Sequence, residues 1–215
     1  MDYTVCSLCN IKKDNYRCSN TTCKANIHYK IKSYTDQFAS SQESFEDIIS
    51  HFMGFLKDFK HTIYMTGIGK SAYISNKCVA TWQSLGIKVY SLLQQDLVHG
   101  DLGILQENDI IIYVSNSGNT EELVNVSAYI KTNFNVTQIC ITNNPSARII
   151  DNMSRSFVIG NNKIEEADIL NLAPSVSSVL FMALLDLIGI QFAEMRGITK
   201  QEFKRFHPGG DLGKN

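Results

Sequence analysis

The feature that most limits the fold of this chain is a repeated alternation of short apolar strands and helices after residue 60. The stretch DIIIYVS, residues 109–115, is almost entirely apolar, which is typical of a strand buried on both faces of a parallel sheet. We predict further strands at residues 61–66, 87–93, 136–142 and 156–159, and helices at residues 70–85, 121–132, 146–152 and 174–196. This order predicts an α/β fold, a doubly wound parallel sheet sandwich.

Length and composition indicate one packed domain. The chain has 215 residues, of which 44% are hydrophobic and only 3 are proline. We place the domain at residues 61–215 and one or two leading helices at residues 33–60, where apolar residues recur at helical spacing. The net charge of −1 gives no general attraction to nucleic acid or to an anionic membrane, so neither partner is expected. Because we find no secretory signal or membrane-spanning run, we expect a cytoplasmic protein.

The first 32 residues differ in composition from the rest of the chain. They contain Cys6, Cys9, Cys18 and Cys23, together with six basic and two acidic residues. In a reducing compartment these cysteines are thiols or metal ligands, and two close pairs could hold a structural Zn²⁺, with His28 as a spare ligand. The second spacing is not a familiar zinc pattern, so a free reduced tail remains the alternative. Nucleic-acid binding by this basic segment is a weaker hypothesis.

Ligands of doubly wound sheets bind beyond the carboxyl ends of the strands, which directs attention to the loops at residues 67–71, 115–120 and 143–146. The first reads GIGKS and passes from a strand into a helix. It is not a Walker A P-loop, because the position five residues before Gly69 is Tyr64 and not glycine.

The second loop, SNSGNT, combines three hydroxyl side chains with a glycine before a helix start. Hydroxyls and backbone N–H groups at a helix N-terminus can bind a phosphate. A plain helix cap is the alternative reading. One cap needs one hydroxyl, whereas Ser115, Ser117 and Thr120 supply three, so we favour anion binding.

Five stretches, in this order, resemble those of SIS-domain sugar-phosphate isomerases: GIGKS, HGDLG at residues 99–103, SNSGNTEE, LAPSVSS at residues 172–178 and HPGGDLG at residues 207–213. The resemblance is strongest to D-arabinose 5-phosphate isomerases. It implies a SIS domain, interconversion of D-ribulose 5-phosphate and D-arabinose 5-phosphate through an enediol(ate), and no metal or organic cofactor for catalysis. It also implies a homodimer or homotetramer in which His207 reaches the site of a neighbouring chain.

The same resemblance implies the site residues. The catalytic positions are Lys70, Glu122, Glu166, His207 and His99. The substrate-binding positions are Gly69, Ser71, Ser115, Asn116, Ser117, Gly118 and Thr120. Moving a carbonyl between C1 and C2 needs a base for the carbon proton and a cation for the enediolate oxygen. We assign the base to Glu166 or His207, the cation to Lys70 and the transfer of hydroxyl protons to Glu122.

The chain departs from this family in three places. Family members commonly continue after His-Pro-Gly-Gly into paired CBS domains, so we expect no CBS regulation here. The family's Lys-Glu-Ala-Cys-Pro-Leu-Gly is EEADILN at residues 165–171, and LLQQDLV before His99 lacks the usual small residues. Two alternatives therefore stand beside the isomerase: an isomerase of another sugar phosphate, and a non-catalytic sugar-phosphate sensor. The acid–base side chains of Glu122, Glu166 and His207 favour the enzyme, because a sensor does not need them.

Overall fold

The computed structural model describes residues 26–160 and 164–209. Its helices are α1 (Ile27–Leu56), α2 (Lys70–Ser84), α3 (Gln94–Leu97), α4 (Glu121–Asn133), α5 (Val176–Met195) and α6 (Lys200–Phe206), and its strands are β1 (Ile63–Gly67), β2 (Val89–Ser91), β3 (Ile110–Val114), β4 (Thr137–Thr142) and β5 (Arg155–Val158). Two 3₁₀ segments lie at Asp101–Ile104 and Arg148–Asn152. The hypothesis of a zinc site at Cys6, Cys9, Cys18 and Cys23 lies outside the described residues.

All five strands are parallel and follow the order β2-β1-β3-β4-β5. The doubly wound parallel sheet predicted from the sequence is therefore confirmed. The strand order changes direction between β1 and β3, where Gly67 pairs with Val114. Because the connections from these two strands leave to opposite sides, a crevice forms at their carboxyl ends, which is where ligands of such sheets bind.

Helices cover both faces of the sheet, and both β1 and β3 are buried along their whole length. One core lies under α1, α2 and α5 and includes Phe52, Met65, Trp82, Ile112 and Leu184. The other lies under α3, α4 and the 3₁₀ segments and includes Tyr64, Leu97, Tyr113, Ile130 and Cys140. Cys78, Trp82 and Cys140 are fully buried in these two cores.

Helices α2 and α5 pack closely and run in the same direction. The Trp82 Nε1–H donates to the Leu185 carbonyl at 2.8 Å, and the Cys78 thiol donates to the Met182 carbonyl at 3.8 Å. At Gly189 an added Cβ would lie 2.2 Å from Trp82 Nε1, so no larger residue fits there. From Cys78 to Trp82 along α2, the contacted residues of α5 also advance, from Met182 to Leu185 and Gly189. The first turn of α5 is therefore level with the first turn of α2.

By length and composition α5 is apolar enough to cross a membrane. Here, however, it is the central helix of one core, and 56% of its most apolar window is buried. Such an apolar helix is typical of a core position between a sheet and other helices.

Several element boundaries differ from the predicted ones. The leading helices are a single helix, α1, which begins at Ile27 and crosses the predicted boundary between residues 32 and 33. Its start is local, because the Asn26 side chain accepts a hydrogen bond from the His28 N–H at 2.8 Å. The prediction that Pro174 lies in the first turn of α5 is wrong, since Ser175 is the N-cap. The predicted helix at residues 146–152 is the 3₁₀ segment Arg148–Asn152.

Candidate active site

A tight turn carries the chain from β1 into α2. An added Cβ at Gly67 would lie 2.9 Å from the backbone carbon of Ser71, so only glycine lets the helix start this close to the strand. Gly69 is the N-cap of α2 and has a φ of +58°, a left-handed conformation that glycine adopts without strain. Lys70 is consequently the first residue of the helix, with an exposed side chain at the crevice edge.

The hydroxyl-rich loop at residues 115–120 follows β3 on the other side of the crevice. Ser115 is buried, and its Oγ accepts the Gly118 N–H at 3.1 Å, which closes the loop on itself. The Ser117 Oγ accepts the Asn119 N–H at 3.2 Å. Thr120 occupies the N-cap position of α4, but its side chain makes no capping hydrogen bond. The helix-cap alternative therefore does not account for the Thr120 hydroxyl, and anion binding by this loop stays a prediction.

The third loop, after β4, acts as a brace that sequence reasoning did not assign. The Thr142 hydroxyl and the Asn143 N–H donate to the Asn116 carbonyl at 3.0 and 3.1 Å. The Asn144 side chain donates to the Ser117 carbonyl at 2.9 Å. These bonds tie two loops at the carboxyl edge of the sheet together. The backbone of the hydroxyl-rich loop is thus held in place before any ligand binds.

Two acidic residues begin α4. The Glu121 carboxylate pairs with the Arg148 guanidinium at 3.2 Å, and Glu122 is exposed beside it. Carboxylates in a first turn stabilise the helix through its macrodipole. Glu122 lies two residues after the hydroxyl-rich loop, and its predicted role in proton transfer stays a prediction.

Glu166 lies almost fully buried at the start of α5. One of its carboxylate oxygens accepts the Ser175 N–H at 2.8 Å, the Ser175 hydroxyl at 3.1 Å and the Ser177 N–H at 3.2 Å, and the other accepts the Ser177 hydroxyl. This carboxylate therefore caps α5. Since the first turns of α5 and α2 are level, Glu166 lies at the same edge of the sheet as Lys70.

The structure does not bring His207 to this edge within one chain. The His207 ring stacks on Phe203 at 4.2 Å, just after α6. The Phe206 ring of the same helix packs on Gly86, beyond the far end of α2 from Lys70. A helix of 15 residues is about 22 Å long, so the contact between Phe206 and Gly86 lies about that far from Lys70.

His99 has an exposed side chain in the segment between α3 and Asp101–Ile104. Its N–H donates to the Asp96 carbonyl at 2.9 Å. Neighbouring residues of this segment pack on the face of the sheet opposite to α2. Across residues 26–160 and 164–209, no group of three or more His, Cys, Asp or Glu side chains could hold a metal ion.

The sequence profile of the SIS domain matches residues 56–190, which is more than half of the chain and contains every loop described above. The chain belongs to the SIS domain family. The match ends before His207, so the part of the SIS domain that forms the crevice is the part supported by the family profile.

Curated relatives of this SIS domain include arabinose 5-phosphate isomerases. The isomerase KdsD of Pseudomonas aeruginosa is 34% identical over 157 residues, which cover 72% of this chain and 47% of the relative. The isomerase KpsF of Escherichia coli is 32% identical over 162 residues, covering 75% of this chain and 50% of the relative. An uncharacterized protein of Rickettsia prowazekii is 33% identical over 185 residues, covering 86% and 57%. This chain thus spans about half the length of these relatives.

Solved structures share the architecture of this SIS domain. An Escherichia coli protein in complex with arabinose 5-phosphate superposes with a TM-score of 0.71 at 26% identity, covering 83% of this chain and 95% of that one. A Listeria monocytogenes protein described as a putative sugar-phosphate isomerase superposes with a TM-score of 0.73 at 26% identity, covering 85% of this chain and 95% of that one. The resemblance to SIS-domain isomerases noted in the sequence is therefore confirmed for family and fold.

Proposed function

We propose that this SIS domain is an aldose–ketose isomerase that interconverts D-arabinose 5-phosphate and D-ribulose 5-phosphate. The observation that carries the proposal is the convergence of Lys70 and the hydroxyl-rich loop at the crevice between β1 and β3. Relatives named arabinose 5-phosphate isomerase and a similar structure in complex with arabinose 5-phosphate support this substrate.

The phosphate of the sugar binds at the N-terminus of α4. That end of the helix carries the unpaired N–H groups and the positive end of the macrodipole, and the Ser117 and Thr120 hydroxyls lie beside it. The braced loop backbone keeps these donors in one arrangement. Binding the phosphate there directs the carbonyl end of the sugar across the crevice towards the first turn of α2.

Isomerisation needs one proton to move between two carbons. A base takes the proton from C2 of the aldose, and its bonding electrons form an enediolate with the negative charge on O1. The Lys70 ammonium stabilises that oxygen. The base then returns its proton to C1, and the proton of the C2 hydroxyl passes to O1, so that C2 becomes the ketone carbonyl and C1 carries the new hydroxyl. The reaction is redox neutral overall and needs no metal or organic cofactor.

Of the two candidates for the carbon base, we propose His207. The Glu166 carboxylate already accepts hydrogen bonds from Ser175 and Ser177 at the start of α5, which disfavour its protonation. The His207 ring contacts the Phe203 carbonyl through its Nδ1 at 2.8 Å, which leaves its Nε2 for proton transfer. Because His207 lies away from the edge of the sheet that carries Lys70, we propose that a neighbouring copy supplies it, in a homodimer or homotetramer. Glu122 then transfers the hydroxyl protons.

Mixed assemblies test this proposal. Lys70→Ala and His207→Ala should each abolish interconversion of the two sugars, followed by NMR. Unfolding and refolding the two variants together should restore activity, because a mixed dimer has one site with both residues intact; a random mixture reaches about a quarter of the wild-type rate. No recovery, with mixed dimers shown by mass spectrometry, would refute the shared site.

Turnover also separates the alternatives. A sensor would bind arabinose 5-phosphate in calorimetry without converting it, and an isomerase of another sugar would act faster on hexose phosphates. Activity that survives dialysis against EDTA supports the absence of a catalytic metal, whereas loss that added metal restores contradicts it. We place the reaction in the cytoplasm, because phosphorylated sugars are charged and do not cross membranes unaided.

The cysteine hypothesis remains a separate proposal. If Cys6, Cys9, Cys18 and Cys23 hold a structural zinc, the purified full chain should contain one zinc per chain by elemental analysis. Replacing Cys6 and Cys9 with serine should remove it. A metal-free chain purified with zinc present would contradict the proposal.

A further inference from the structure

The segment at residues 165–173 is organised by the side chain of Asp168. Its carboxylate accepts three backbone hydrogen bonds, from the N–H groups of Leu170 at 2.9 Å, Leu172 at 3.0 Å and Ala173 at 2.8 Å. Burial alone would raise the pKa of Asp168, but these N–H groups outweigh it and hold the pKa below its ordinary value. The segment is therefore shaped by an ionised side chain from within the loop.

Asn171 links this loop to Glu166. Its N–H donates to the Asp168 carbonyl at 3.2 Å, and its Oδ1 accepts the Glu166 N–H at 2.5 Å. Ala167, which follows Glu166 in the chain, donates its N–H to the Ser175 hydroxyl at 3.0 Å. Both the backbone of Glu166 and its carboxylate are thus held, one by Asn171 and the other by the start of α5.

Asn171 has a left-handed backbone, with a φ of +56°. Asparagine tolerates this region better than other residues with a Cβ, and glycine adopts it freely. The family sequence that EEADILN resembles has glycine at this position. Asparagine keeps the backbone conformation and adds an acceptor that glycine cannot supply, so its side chain has a role separate from its φ.

We propose that Asp168 and Asn171 form a clamp that positions Glu166 at the start of α5 and thereby fixes the edge of the sugar-phosphate site beside Lys70. This inference rests on the proposed function for its activity readout. Neither residue contacts the reacting atoms. They act through Glu166, which in turn holds the first turn of α5 level with that of α2.

Three substitutions at Asn171 separate the side chain from the backbone. Asn171→Asp keeps the acceptor, Asn171→Gly keeps the φ but loses the acceptor, and Asn171→Ala loses the acceptor and strains the φ. Asn108, with a φ of +68° before β3, provides the matched control. Asn108→Ala carries the same backbone strain at the opposite end of the sheet.

The kcat for arabinose 5-phosphate should depend on whether residue 171 supplies the hydrogen-bond acceptor, and not on the stability of the variant. We expect Asn171→Gly to lower kcat about tenfold, because small misplacements in a site are costly to turnover. KM should stay within about twofold, since the phosphate loop is untouched. Asn171→Asp should restore most of kcat, and Asn108→Ala should lower the melting temperature with kcat unchanged. In a Glu166→Gln background, Asn171→Gly should have little further effect.

Two outcomes overturn the clamp: an Asn171→Gly protein with wild-type kcat, or an equal further loss in the Glu166→Gln background. If the wild-type chain converts neither sugar, the proposed function fails instead. Hydrogen exchange then decides the clamp on its own. The Glu166 amide should be protected in the wild type and Asn171→Asp but exchange freely in Asn171→Gly, and equal exchange in all three refutes it.

Discussion

Replacing Gly118 with alanine tests whether the hydroxyl-rich loop is as tightly built as its contacts indicate. Gly118 has a φ of +60°, and an added Cβ would lie 2.4 Å from the Ala147 Cβ. It would also lie 3.2 Å from Ile149 Cγ2 and from Thr142 Oγ1. The substitution therefore combines a left-handed backbone with a steric clash against the loop that braces it.

The two effects can be estimated separately. A left-handed conformation costs a residue with a Cβ about 1–2 kcal/mol. Overpacking a well-filled site costs about 1–3 kcal/mol more. Gly118→Ala should therefore lower the free energy of unfolding by about 2–5 kcal/mol, a large share of the 5–15 kcal/mol that is roughly typical of a domain. Adding Ala147→Gly should recover part of the loss, because it removes the closest contact.

Urea unfolding followed by the fluorescence of Trp82 measures these differences, since it is the single tryptophan and is fully buried. Gly197→Ala is the control: Gly197 has a φ of +74°, but nothing lies within 4 Å of its added Cβ. It should cost only the backbone part, about 1–2 kcal/mol. Equal losses for Gly118→Ala and Gly197→Ala would show that the brace is not tightly packed and would refute the reasoning.

Three other predictions concern Trp82, the two buried cysteines and Asp168. Trp82→Phe removes the indole donor to the Leu185 carbonyl and should cost about 2–3 kcal/mol in urea unfolding followed by circular dichroism; a loss below about 1 kcal/mol would contradict the contact. Burial raises the pKa of both Cys78, near Asp186, and Cys140 to about 12, so the folded chain at pH 8 should resist iodoacetamide at both, and labelling at the denatured rate, seen by mass spectrometry, would argue against this. The pKa of Asp168 lies below its ordinary 3.8, so its contribution to stability is present above that pH and is lost as pH falls through the folded-state value. Asp168→Asn should therefore destabilise the chain more at pH 7 than at pH 3, and an equal loss at both would refute the assignment.

The sheet was predictable from the sequence because burial on both faces demands a continuous apolar run. The buried strands β1, β3 and β4 follow from such runs. The short strand β2 was predicted too long, because only three of its residues find partners on β1. Local apolar patterning does not reveal where pairing stops.

The local elements of the candidate site were predictable from the sequence, and the contacts between distant segments were not. The turn at Lys70 and the hydroxyls at Ser115–Thr120 are local features of the sequence. By contrast, Glu166 meets Ser175 and Ser177 only once the intervening loop has folded, and nothing in the local pattern shows that contact. The position of His207 depends on α6, whose capping box at Thr199 and Glu202 was a readable signal that the prediction did not use.

The contact between Trp82 and Gly189 has a consequence for how the site can move. The Trp82 indole packs directly against the backbone of Gly189, which leaves no room for α2 and α5 to slide past each other. The two helices therefore behave as a single rigid body. Entry and exit of a ligand at the crevice must then come from displacement of the loops. Lys70 and Glu166, carried at the same end of that body, keep their mutual spacing throughout.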